Sequence, residues 1–291
     1  MGYTANMAKD SLALVVMAKF PEAGKVKTRL TPALAPAQAA AIHRAFLLHS
    51  IARLGALDGD EMVICFDPPD RAAAMRELLA EDAAQTACHL PATCHPEVLR
   101  RIWPRAPIRP DSSDYLRMTS TPLERGEIAH DRPDPFLISY LPQSPGDLGA
   151  RLASAAATVG QRHPRMLFFG VDSPDLPDSH IDRAIELTQQ AAVSVSPTAD
   201  GGFWSLGLCN SVDASALLSG IRWSSGVEMR QLLERADALG YATAVGEQWD
   251  DVDHPADLQR LLHRLSTSTQ SSDRALLQQL QTIRPAIELP F

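Results

Sequence analysis

Short apolar runs alternate along this chain with longer stretches whose apolar residues recur at helical spacing. Residues 12–18, LALVVMA, are a continuous apolar run of strand length, the pattern of a strand covered on both faces. Residues 36–57, PAQAAAIHRAFLLHSIARLGAL, begin on a proline and are rich in Ala and Leu; their spacing predicts a helix. The unit repeats as strand 61–66, helix 70–81, strand 135–141, helix 147–160, strand 165–171 and helix 178–190. Further strands are predicted at 191–197, 202–208 and 241–246, with helices at 225–240 and 255–265. This alternation predicts an α/β fold, a three-layer sandwich with a mostly parallel sheet between helices. Functional residues are then expected in loops leaving the carboxyl ends of the strands.

Two segments leave the pattern. Residues 82–134 hold many prolines and scattered charges without sustained periodicity, so they read as an irregular insertion at the surface. Residues 266–291 open on the polar run STSTQSSD and then offer one amphipathic stretch, RALLQQLQTI. They read as a tail, disordered or loosely docked. The organisation expected is one domain over 1–265, interrupted by the insertion, followed by the tail. Inside the insertion, Cys88-His89 and Cys94-His95 repeat a doublet, but without the usual ligand spacing of a zinc finger or ribbon.

Composition narrows the function classes. The 291 residues carry a formal net charge of -8, with 45% hydrophobic and 21% charged residues. That is ordinary globular composition, and nucleic acid is not an expected partner, since polyanion binding needs many spread cations. The apolar run at 12–18 is far too short to span a bilayer, and no small-residue cleavage pattern follows it. Neither a membrane span nor a signal peptide is expected. Four cysteines in a chain of this length fit reduced thiols and a cytoplasmic location.

Against that acidic background, residues 17–30, MAKFPEAGKVKTRL, gather Lys19, Lys25, Lys27 and Arg29 with one acid, Glu22. Gly24 admits a positive φ or a close backbone approach. Cations about 6 Å apart repel by roughly 3 kcal/mol per pair at an effective dielectric near 20. They either splay into solvent or converge on an anion, where each charge-assisted bond contributes roughly 1.5–3 kcal/mol. The loop is not a Walker A sequence, because Gly24-Lys25 is followed by Val26 instead of Ser or Thr.

Acids follow later strands. GVDSPDLP (170–177) places Asp172 beside the apolar Phe168, Phe169 and Val171, and Asp175 in turn-forming company. WDDVDHPADL (249–258) sets Asp250, Asp251 and Asp253 before a helix. Asp253 or His254 there suits an N-terminal cap, and carboxylates at strand ends also suit a divalent cation. Asp200-Gly201-Gly202 is an ordinary turn or a loop with Asp200 as a base or orienting carboxylate. Gln143, Gly146 and Asp147 precede a helix N-terminus, a place suited to a base or phosphate.

The ordered set AKFPEAGKVKTRL, LPQSPGDLGARL, GVDSPDLP, DGGFWSLGL, IRWSS and DVDHPADL resembles the bacterial DUF2064 family over about residues 12–265. That family is described as GT-A-type glycosyltransferases and is similar to the nucleotide-diphospho-sugar transferases. The resemblance implies a GT-A, Rossmann-like nucleotide-binding domain. It implies a nucleotide site at Lys19, Gly24, Lys25, Lys27, Arg29, Gln143, Gly146 and Asp147; Asp200, from its own loop, is the expected catalytic base. Mg²⁺ or Mn²⁺ would be held by Asp172 and Asp253. The function implied is a metal-dependent glycosyltransferase with a nucleotide-sugar donor and a small-molecule acceptor. Nucleotidyl transfer and a catalytically idle nucleotide-binding module are the alternatives. The chain departs from the family in having His254 where Thr is commoner, and in lacking an Asp-x-Asp signature at Asp172.

Overall fold

A strand covered by helices on both faces has no use for polar alternation, and the first strand shows this. In the computed structural model, which describes residues 11–57, 59–89 and 137–283, β1 (Leu12–Lys19) sends Leu12, Leu14, Val16 and Ala18 into one core cluster. Ala13 and Val15 enter another on the opposite face. β2 (Glu61–Asp67), β3 (Leu137–Pro142), β4 (Arg165–Phe169), β5 (Val193–Pro197), β6 (Phe203–Cys209) and β7 (Thr243–Val245) complete a seven-stranded sheet in the order β3-β2-β1-β4-β6-β5-β7. β1 runs parallel to β2 and β4, β2 to β3, and β5 to β7. β6 alone among these is antiparallel to its neighbours, β4 and β5, because the short 198–202 turn returns the chain directly from β5.

The helices are α1 (Pro36–Leu54), α2 (Ala72–His89), α3 (Leu148–Val159), α4 (Asp178–Gln190), α5 (Ala214–Leu218), α6 (Glu228–Ala238), α7 (Pro255–Thr267) and α8 (Ser271–Ile283). Leu47 of α1, Met75 of α2 and Ile181 of α4 pack on one face of the sheet. Leu152 of α3, Leu217 of α5 and Leu232 of α6 pack on the other. The architecture is thus the expected α/β sandwich with a mostly parallel sheet. Among the described residues no helix is long and apolar enough to cross a membrane.

The strand order carries the functional geometry. From β1 the chain builds outward through β2 and β3, then returns to the other side of β1 to lay down β4. The loops leaving β1 and β4 therefore diverge at the carboxyl edge, and such switch points open a crevice for ligands.

Two elements extend beyond their sequence boundaries. α2 continues through His89, eight residues into the stretch read as an irregular insertion, because DAAQTACH keeps enough alanine to sustain a helix. Cys88 and His89 end this helix; the rest of that insertion, with the second doublet Cys94-His95, lies outside the described residues. The amphipathic part of the tail is α8, which packs with α7 on the outer side of α1. Its Leu276 and Leu280 are 2% and 3% exposed, so this helix is part of a third core cluster with Ile42, Ala45 and Phe46.

Truncating a leucine this buried removes transfer energy and leaves a cavity, typically about 2–5 kcal/mol. Leu276→Ala should lower stability by at least about 2 kcal/mol in urea denaturation of the full chain. A change below about 0.5 kcal/mol would mean that α8 is only loosely held.

Candidate functional site

The loop after β1 turns its charges inward through backbone conformation. Gly24 has φ 77° and Lys27, unusually for a residue with a side chain, has φ 47°. Lys27 precedes a single 3₁₀ turn, Thr28–Leu30, whose Leu30 enters the core. That geometry leaves the Lys27 side chain 4% exposed, with Nζ 2.7 Å from Asp172 Oδ1 and 3.3 Å from Asp253 Oδ1. The same ammonium donates to the Val252 carbonyl at 2.6 Å and lies 5.8 Å from the centre of the Phe46 ring. A desolvated ammonium needs such a full set of acceptors. Lys27 is therefore an internal counter-ion at the floor of the site, instead of a free phosphate-facing lysine.

Arg29 donates from Nη1 to Asp253 Oδ2 at 2.8 Å while remaining half exposed. Lys19 and Lys25 are exposed at the rim. Burial would push the Asp172 carboxyl up, but Lys27, with His43 and Lys19, holds it below the ordinary carboxylate range. Asp253 is engaged by Arg29 and Lys27, and its N–H donates to Asp257 Oδ2 at 3.0 Å.

Asp251 is the contrasting acid. Burial pushes its carboxyl up to about 8, reinforced by Asp200, Asp172 and Asp253 and opposed by Lys27. Its Oδ1 is buried without a hydrogen-bond partner among the described residues. His43 is a second such group. Its Nε2 lies 3.0 Å from the Lys19 carbonyl, which only accepts, so the proton sits on Nε2. The buried Nδ1 is left without a partner, and burial keeps the imidazole below its usual pKa despite Asp172. Among the described residues no group of three or more His, Cys, Asp or Glu is placed to hold a metal ion by itself.

The turn after β3 is organised from within. Gln143 Nε2 donates to the carbonyl of Cys65 at 2.8 Å, and Arg151 Nη1 donates to Gln143 Oε1 at 3.2 Å. Arg151 also pairs with Asp67 at 3.1 Å. Asp147 caps α3, accepting the Ala150 N–H at 2.9 Å. Gly146 has φ 114°, and a Cβ there would stand 2.9 Å from the Ala150 side chain.

Across the cleft, Asp200 Oδ1 accepts the Thr198 hydroxyl at 2.6 Å and the Gly202 N–H at 3.1 Å. Gly201 crosses Gly226 so closely that a Cβ at 201 would lie 2.1 Å from the Gly226 carbonyl oxygen. This crossing draws Trp223 and Glu228 to the same cleft.

These loops enclose a cleft of about 690 Å³. Of the residues expected from sequence, Lys19, Lys25, Lys27, Arg29, Gln143, Gly146, Asp147, Asp172, Asp200 and Asp253 all line it. Gly24 does not, and a Cβ there would meet nothing within 4 Å, so its glycine serves the positive φ alone. His254 is exposed at the head of α7 and is also outside the lining. Asp175 faces away, held by Trp249 Nε1 at 3.2 Å and by Arg264.

The lining also includes residues not expected at the site, among them His43, Trp223 and Glu228, and Asp251, which was noted before the helix but not assigned a role. A signal existed for Asp251. In the extended segment Asp251-Val252-Asp253, burial of Val252 on one side places both acids on the other. His43 and Glu228 sit within helical patterns and carried no comparable mark.

Residues 116–225 match a family model described as "Uncharacterized protein conserved in bacteria (DUF2064)", and the resemblance drawn from the motifs is borne out there. No curated protein matches the chain. A candidate nucleotide-diphospho-sugar transferase from Desulfovibrio desulfuricans G20 superposes with TM-score 0.66 at 22% identity, covering 94% of this chain and 96% of its own. A UDP-glucose pyrophosphorylase from Acinetobacter baumanii is more distant, with TM-score 0.47, 10% identity and coverage of 94% and 99%. A 4-diphosphocytidyl-2C-methyl-D-erythritol synthase from Anaerococcus prevotii DSM 20548 gives 0.47, 9%, and 86% and 96%. The first likeness establishes the shared fold; the other two carry no further weight.

Breaking a buried ion pair costs about 3–5 kcal/mol. The Asp172 side chain is 44% exposed, so Lys27→Met should cost less, about 2–3 kcal/mol in chemical denaturation. A neutral effect would return Lys27 to the role of a surface lysine. Asp251 gives a pH signature in metal-free protein. Its carboxyl lies near 8 in the fold against an ordinary value of 3.8, so the folded state holds the proton more tightly. Its contribution is favourable below pH 4 and is lost as pH rises to 8. In EDTA, Asp251→Asn should melt above wild type at pH 8 and with it at pH 4; a pH-independent difference would contradict the assignment.

Proposed function

We propose that this chain, whose residues 116–225 match the DUF2064 family model, is a transferase acting on a nucleotide-linked substrate. More specifically, we read it as a metal-dependent glycosyltransferase with a nucleotide-sugar donor and a small-molecule acceptor. The observation that carries this reading is the unequal pairing of the acids. Asp253 is neutralised by Arg29 and Lys27, whereas Asp251 keeps a buried oxygen without a partner and is pushed up to about 8 by burial and three neighbouring acids. Two carboxylates drawn together in this way call for a divalent cation.

The donor set of oxygens suits Mg²⁺ or Mn²⁺, and Asp172 with Asp251 would hold it. Asp253, the ligand expected from the resemblance, would instead fix Arg29 at the rim. The cation, when bound, supplies positive charge that stabilises a leaving diphosphate. Lys19, Lys25 and Arg29 would meet the remaining phosphate oxygens. The acceptor hydroxyl would attack the anomeric carbon of the donor as the bond to the diphosphate breaks. Its proton would pass to Asp200 Oδ2 as the nucleoside diphosphate leaves.

Calorimetric titration with UDP and GDP, with Mn²⁺ and with EDTA, tests the site. Affinity should rise at least tenfold with Mn²⁺; Asp172→Asn and Asp251→Asn should each remove most of that rise. Arg29→Ala should weaken nucleotide binding by roughly 1.5–3 kcal/mol if it contacts phosphate. Equal affinity in EDTA would exclude the metal site. Product analysis tests the chemistry: glycosyl transfer releases a nucleoside diphosphate, and release of pyrophosphate would assign nucleotidyl transfer instead.

A further inference from the structure

Glu228 takes no part in the reaction outlined above, yet it lines the same cleft. It is 6% exposed, and its Oε1 accepts the Ser225 N–H at 2.6 Å. Its Oε2 is buried without a partner among the described residues. Such a group is expensive unless a donor arrives. Around it the cleft changes character. Trp223 and Phe203 meet edge to face, with ring centroids 6.2 Å apart at 75°, and both line the cleft. Phe203 opens β6, which stands two strands from β1 in the sheet, about 10 Å from the basic loop at ordinary strand spacing.

We propose that this end of the cleft is a subsite for a neutral, polyhydroxylated molecule, whose hydroxyl donates to Glu228 Oε2 and whose C–H face rests on Trp223 and Phe203. The inference rests on the transferase reading, in which this molecule is the acceptor. A hydroxyl fits better than an amine for a local reason. Glu228 is the first residue of α6, where the helix N-terminus already favours negative charge. What Oε2 lacks is a hydrogen-bond donor, not a counter-charge. The aromatic pair offers the apolar surface that a sugar or polyol ring covers.

The wall is fixed before any ligand arrives. Trp223 packs its indole over Gly149 of α3, where a Cβ would stand 2.8 Å from Nε1. The Met229 N–H donates to the Gly201 carbonyl at 3.2 Å, tying the head of α6 to the Asp200 loop.

Ligand-observed NMR on the full chain, with methyl α-D-glucoside and glycerol as hydroxyl probes and ethanolamine as the cationic comparison, tests this. At least one hydroxyl probe should bind wild type. Glu228→Gln, which retains an acceptor for the Ser225 N–H, should weaken that binding at least tenfold. UDP affinity with Mn²⁺ should change less than twofold. Should Glu228→Gln lose its cooperative melt, Trp223→Leu replaces it with the same expected pattern. The subsite is overturned if no hydroxyl probe binds wild type, if the variants bind equally well, or if ethanolamine alone binds in a Glu228-dependent way. Hydroxyl binding that depends on Glu228 while UDP fails to bind would uphold the subsite and refute the nucleotide reading.

Discussion

The Lys27 ammonium joins three parts of the chain that the sheet alone would leave independent. It belongs to the loop after β1, it pairs with Asp172 after β4, and it caps the Val252 carbonyl and Asp253 ahead of α7. The Val252 N–H completes the joint by donating to the Asp172 carbonyl at 2.8 Å. A charge removed from water demands acceptors in fixed positions, so this one contact sets the distance between the basic rim and the acidic floor. α1 supports it from below with Phe46, and α7 and α8 hold α1 in place through the third core cluster. The tail helix thus acts on the site at one remove, through packing.

Charge is divided unevenly around that joint, and the division gives the cleft its direction. Cations that look equivalent in sequence have separate duties. Lys27 neutralises the floor and Arg29 steadies Asp253. Lys19 and Lys25 stand exposed at the rim. Among the acids, Asp172 and Asp253 are matched by cations, while Asp251 is not. The deficit sits between the basic loop and Asp200, where a metal with a diphosphate would restore balance. Further along, the aromatic wall adds apolar surface beside Glu228, whose Oε2 is buried without a partner among the described residues. On the proposed reading, one edge of one sheet would hold an anion at one end, a cation in the middle and a hydroxylated acceptor at the other end.

The fold and the edge that carries the site were legible in the residues themselves. Continuous apolar runs such as 12–18 identify strands buried on both faces, and helical spacing between them implies parallel connections. Parallel strands then bring the loops at 19–29, 143–147, 172, 200 and 251–253 to one edge, whatever the packing details. The positive φ at Gly24 was readable too, being a local property; the α3 cap at Asp147, equally local, was read instead as a place for a base or phosphate. The extension of α2 through residues 82–89 was missed because proline-rich sequence beyond it masked an alanine-rich helix end.

What each charged side chain faces was decided only by the tertiary structure. Lys25, Lys27 and Arg29 alternate within one short loop, and no local rule says which is buried; the left-handed backbone at Lys27 and the acids from residues 172 and 253 determine it. Likewise Asp251 and Asp253 share one side of an extended segment, yet Asp253 is paired by Arg29 and Lys27 while Asp251 is set by burial and by the acids Asp200 and Asp172. The unpartnered atoms of His43 and Glu228 are invisible in sequence for the same reason. Hydrophobic periodicity is a short-range signal that survives in one dimension. Desolvation and Coulombic pairing depend on neighbours more than 200 residues away, and they exist only once the chain has closed.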